Sequence, residues 1–63
     1  MTGFNGRYNP HRIFIVDDHP IVRHGMAKLL NQEDDFQVCG EAADLVEALR
    51  GVENVHPDIA IID

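Results

Sequence analysis

The chain has 63 residues and one cysteine, with 11 acidic side chains against 5 of lysine and arginine, a net charge of -6. That length gives one small domain or a piece of one, and a single cysteine excludes an intrachain disulfide. The acidic balance argues against phosphate-backbone binding by this segment, and no apolar run approaches the length of a membrane span. A reducing, cytoplasmic setting with no membrane partner is the expectation. Residues 1–11 are mostly polar, contain two glycines and lack a signal peptide's apolar core, so they read as a flexible leader to a folded unit over 12–63.

Arg12 to Asp17 reads as the first strand, because Ile13, Phe14, Ile15 and Val16 form an unbroken apolar run suited to a sheet covered on both faces. Pro20 fits the first turn of a helix, where its missing N–H costs nothing, with His19 or Asp18 as cap. Ile21, Val22, Met26, Leu29 and Leu30 supply the helix's apolar stripe. Gly25 inside it costs about 1 kcal/mol relative to alanine, and close packing against a neighbour would explain it. Asn31 to Asp35 is a polar, solvated stop.

Phe36 to Gly40 reads as the second strand, with Phe36, Val38 and Gly40 on one face and Gln37 and Cys39 on the other. Asp44 and Glu47 have capping-box spacing for a second helix. Leu45, Val46, Ala48, Leu49 and Val52 form its apolar face, and Gly51 weakens its last turn. Asn54 to Pro57 is a turn. Ile59 to Ile62 is a third apolar strand ending on Asp63.

This order of β-α-β-α-β predicts an α/β fold with parallel strands joined by right-handed crossovers. With the first strand central, the order is 2-1-3 and the two helices cover opposite faces. All three strands then end at one edge, where ligands of such sheets bind. Asp17, Asp18 and Asp63 are gathered there. Clustered carboxylates need a cation or a proton, and oxygen ligands suit Mg²⁺, with Mn²⁺ also acceptable. The plainer alternative is that Asp17 and Asp18 only cap the helix or shape a turn.

The runs "IFIVDDHPIVRHGMAKLL", "FQVCGEAADLVEAL" and "HPDIAIID" together resemble the receiver domain of a two-component response regulator. The DDHP-x-V-R-x-G pattern and the GEA after the second strand are most similar to the subfamily with a C-terminal helix-turn-helix output domain. The resemblance implies the N-terminal half of a flavodoxin-like, doubly wound receiver. It implies Asp63 as phosphoacceptor, with Asp17, Asp18 and Asp63 at the metal site. It implies a sensor histidine kinase as partner, a possible homodimer, and DNA binding only through an output domain. It also implies signalling rather than enzymatic turnover, with self-catalysed phosphorylation and dephosphorylation confined to the full-length protein.

A receiver normally continues past its phosphoacceptor with a metal-site loop, a Ser or Thr strand, a Lys strand and closing helices. These lie outside the present sequence, so a fragment of a longer protein is expected. His19 reads as a loop-shaping residue more than a ligand, and Arg23 and His24 as solvated helix residues. For Glu41 the resemblance implies a place near the active edge without liganding, and a structural cap is the equal alternative. Three other readings compete. A corrinoid-binding module would need glycine where Val22 stands. A metal-dependent phosphohydrolase would need D-x-D, whereas Asp17 is followed by Asp18 and then His19. A purely structural fragment would use the aspartates as caps.

Overall fold

The computed structural model describes residues 9–63. The leader expected over 1–11 therefore lies mostly outside the described residues. His11 already belongs to the first strand. The elements are β1 (His11–Val16), α1 (Pro20–Asn31), β2 (Phe36–Ala42), α2 (Leu45–Val55) and β3 (Ile59–Ile62). The strands form one parallel sheet, as the alternation of elements predicts, in the order β2-β1-β3 expected with the first strand central.

The central strand carries the core. Ile13, Phe14, Ile15 and Val16 are all buried. Because side chains alternate along a strand, they divide between the faces. Ile13 and Ile15 pack with Ala27, Met26 and Leu30 of α1. Phe14 and Val16 pack with Ala42 of β2 and with Ala48, Val52 and Val55 of α2. The helices thus cover opposite faces. Arg12 locks the α2–β3 connection: its guanidinium donates to the carbonyls of Val55 and His56, and its backbone exchanges hydrogen bonds with Asp58.

The face assignment expected for β2 is corrected. Val38 pairs with Ile13, but the next residue of β1, Phe14, pairs with Gly40, so the register steps over Cys39. Such a bulge inserts one residue into one strand and reverses which face the following residues occupy. Phe36 and Val38 therefore join the α1 face, while Gly40 and Ala42 turn to the α2 face. The switch places Gly40 under the Phe14 ring. A Cβ on Gly40 would lie 2.6 Å from Phe14 Cε2. Gly51 of α2 meets the same ring from above. It therefore makes room for the core's largest side chain, a role the sequence reading did not assign.

Four further expectations are revised. The Ile21–Leu30 stripe is only partly buried: Ala27 is inside, whereas Ile21 is 88% exposed and Leu29 65%. Leu45, Val46 and Leu49 of α2 are likewise exposed. Among the described residues the helices lie over β1 and β2, with Ile61 of β3 reaching the cluster under α1, so they cover only part of the sheet. This also leaves Ile59 and Ile62 exposed despite the apolar run of β3. At Gly25 a Cβ would meet nothing within 4 Å, so the close packing expected there is absent among the described residues.

Candidate functional site

Each strand delivers one part of the site to the same edge. The β1–β2 ladder continues past the strand ends, with the Asp17 N–H donating to the Ala42 carbonyl at 3.0 Å. On the other side the Asp63 N–H donates to the Val16 carbonyl at 3.1 Å. These bonds fix the backbone of both aspartates. Asp17, Asp18 and Asp63 line one open cleft of about 340 Å³, together with Val16, Ala43, Asp44, Leu45 and Ile62. The three carboxylates singled out from the sequence thus line the same cleft, but the set whose donor atoms lie within 4.8 Å of one another is Asp17, Asp18 and His19, without Asp63. Asp44 joins them at the cleft wall, where the sequence suggested only a helix cap; its carboxylate does accept the Glu47 N–H at 2.9 Å.

The three carboxylates differ in setting. Asp17 is 2% exposed and Asp18 is 78% exposed. A buried carboxylate needs hydrogen bonds and a counter-charge. His19 supplies them: its backbone N–H and its ring Nδ1 each lie 2.8 Å from Asp17 Oδ1. The same Nδ1 is 2.9 Å from Asp18 Oδ1. His19 occupies the N-cap position of α1 but makes no side-chain cap bond; its ring turns to the aspartates instead. The His19 backbone N–H, then its ring, hold the Asp17 carboxyl below its ordinary value. The Asp17 hydrogen bond, then the Asp18 charge, raise the His19 imidazole above its own. Donor atoms of Asp17, Asp18 and His19 lie within 4.8 Å of one another.

Arg23 was expected to be solvated, yet its side chain is 13% exposed. Its Nη1 donates to the Asp17 carbonyl at 2.7 Å, and its Nε donates to Glu41 Oε1 at 3.2 Å. His24 does lie at the surface, 3.6 Å from the same Glu41 oxygen. The available sequence signal was position: long side chains in a helix lean toward its N-terminus, so an arginine in the second turn points back at the loop before it.

Residues 13–63 match the response regulator receiver domain family. The chain belongs to that family. It is 40% identical over 52 residues to the DNA-binding transcriptional activator DevR/DosR of Mycobacterium tuberculosis, covering 82% of this chain and 24% of that protein. It is 46% identical over 52 residues to the oxygen regulatory protein NreC of Staphylococcus carnosus, with the same coverage of 82% and 24%. A crystal structure of a LuxR-family two-component response regulator from an Aurantimonas strain superposes with a TM-score of 0.75 at 44% identity, covering 82% of this chain and 37% of that one. The chain therefore spans about a quarter of the length of the curated relatives it matches. Among the described residues, no helix of this receiver is long and apolar enough to cross a membrane.

Proposed function

We propose that Asp63 is the phosphoacceptor of a cytoplasmic two-component response regulator and that Asp17, Asp18 and Asp63 hold Mg²⁺, with Mn²⁺ as a substitute. The observation that carries this reading is the convergence of Asp63 with the buried Asp17 and the exposed Asp18 on one cleft. The donor set fits the ion: carboxylate oxygens suit a hard divalent cation that keeps several waters. Among the described residues, the ion-pair partner of the buried Asp17 carboxylate is the exposed His19, a counter-cation when protonated. When bound, Mg²⁺ screens the repulsion between an attacking carboxylate and a phosphoryl group.

The chain's own residues supply the rest. An Asp63 oxygen attacks the phosphorus; the new P–O bond forms as the bond from phosphorus to the donor breaks, and the donor leaves with that electron pair. The donor is a phosphohistidine of a sensor kinase or a small phosphodonor. The product is an acyl phosphate, which hydrolysis erases. Self-catalysed transfer and hydrolysis belong to the full-length protein, whose output is DNA-binding transcription regulation. DevR/DosR, named as a DNA-binding transcriptional activator, supports that output.

The test is phosphorylation of the full-length protein by a small phosphodonor with Mg²⁺. Asp63→Asn abolishes labelling, and chelation of the metal suppresses it. Persistent labelling at another residue in the Asp63→Asn protein overturns the assignment.

A further inference from the structure

Arg23 is a nearly buried guanidinium, 13% exposed, on the first helix. A desolvated charge of this kind is held by partners that use its geometry. Its Nη1 meets the Asp17 carbonyl at 2.7 Å, and its Nε meets Glu41 Oε1 at 3.2 Å. The Asp17 carbonyl belongs to the peptide that joins Asp17 to Asp18. A trans peptide is planar and its two Cα atoms stand at a covalently fixed separation, so the bond to its carbonyl acts on the orientation of that plane against α1 and β2, and with it on the directions in which the two aspartate side chains leave the backbone. Glu41 comes from β2, whose Ala42 carbonyl accepts the Asp17 N–H at 3.0 Å. Arg23 therefore ties together the loop after β1, the helix α1 and the end of β2.

We infer that Arg23 is a positioning residue for the acidic site: with Glu41 as its anchor, it sets the geometry of the Asp17–Asp18 pair and hence its affinity for a divalent cation. The inference rests on the Mg²⁺ reading above. Arg23 touches neither carboxylate through its own hydrogen bonds: apart from the weak through-space pull of its charge on Asp17, which Arg23→Lys keeps, it acts through the backbone. Residues that orient metal ligands typically change metal affinity by 10–100-fold when replaced. Lysine is not equivalent, because one ammonium cannot reproduce the planar fork that meets both acceptors.

The experiment measures Mg²⁺ affinity calorimetrically in the full-length protein, alongside thermal unfolding in metal-free buffer and phosphorylation rate against Mg²⁺ concentration. Arg23→Gln weakens Mg²⁺ binding about tenfold. The phosphorylation rate falls at low Mg²⁺ and returns to the wild-type value at saturating Mg²⁺. Arg23→Lys lies between the two. A merely structural role would instead lower the metal-free melting temperature and leave a rate deficit that Mg²⁺ does not restore; that outcome overturns the inference. Wild-type Mg²⁺ affinity in Arg23→Gln also overturns it. Should Arg23→Gln fail to fold, Glu41→Ala reads the same linkage: weakened Mg²⁺ binding supports it, and unchanged binding overturns it. A wild-type protein that binds no Mg²⁺, with Asp17→Asn and Asp18→Asn indistinguishable from it, overturns the metal reading itself and this inference with it.

Discussion

The acidic edge is governed by one histidine. His19 supports Asp17 through its backbone and its ring, and its Nδ1 also reaches Asp18. Each shift has a sign for stability. The His19 imidazole is raised above its ordinary 6.5, so its contribution is complete below pH 6.5 and lost as pH rises through the raised folded value. The Asp17 carboxyl is lowered from 3.8, so its contribution is complete above pH 3.8 and lost as pH falls through the lowered folded value. The pair thus supports the fold across the interval between those folded values. Denaturant unfolding in metal-free buffer should show stability declining as pH rises past the His19 transition. His19→Gln should flatten that decline while leaving the acid limb governed by Asp17. An unchanged slope above pH 6.5 in His19→Gln would assign the transition to another group. The ring is exposed, so the change is small in absolute size.

At the scale of the elements, two helical glycines give opposite outcomes from the same substitution. Replacing glycine by alanine in a helix interior gains about 1 kcal/mol from propensity alone. At Gly25 the added methyl meets nothing within 4 Å, so Gly25→Ala should raise the stability of this chain by roughly that amount. At Gly51 the methyl meets the Phe14 ring, which is 2% exposed and has little room to retreat. Overpacking of this kind costs about 1–3 kcal/mol, so Gly51→Ala should destabilise. Phe14→Leu should relieve that penalty in the double variant, and urea unfolding of the four proteins would measure the coupling. The strand-helix alternation and the Asp44 cap were legible because each depends on local apolar runs or on spacing, whereas the central position of β1 entered as a condition that fits the receiver resemblance. The Cys39 bulge was not, because it exists only in the pairing of β2 with β1. That bulge brings Gly40 under Phe14, so the reason for Gly40 was hidden with it, and Gly51 meets the same ring through a contact between α2 and β1 that no local pattern shows. Arg23 was misread for a similar reason: its acceptors lie 6 and 18 residues away in the chain.

For the molecule as a whole, sheet and helices leave apolar surface uncovered. Ile21 and Leu29 on one face, Leu45, Val46 and Leu49 on the other, and Ile62 on β3 are each at least 63% exposed. Among the described residues, β3 pairs only with β1 and offers its other edge. Exposed apolar patches and open parallel edges promote association. Opposing this is the net charge of -6, which makes copies of the chain repel. Salt decides between the two, because the screening length is about 10 Å at 0.1 M and about 3 Å at 1 M. The 63-residue chain should therefore form dimers and larger species with rising concentration, and more so with rising salt. Sedimentation velocity across both variables measures this. Ile62→Lys places a charge on the open strand and should shift the distribution toward monomer, as charged residues do on natural sheet edges. A single monomeric species at every concentration and salt would show that the exposed side chains shield one another enough to leave no adhesive surface. Association that weakens with salt would assign it to ionic contacts instead of the apolar faces.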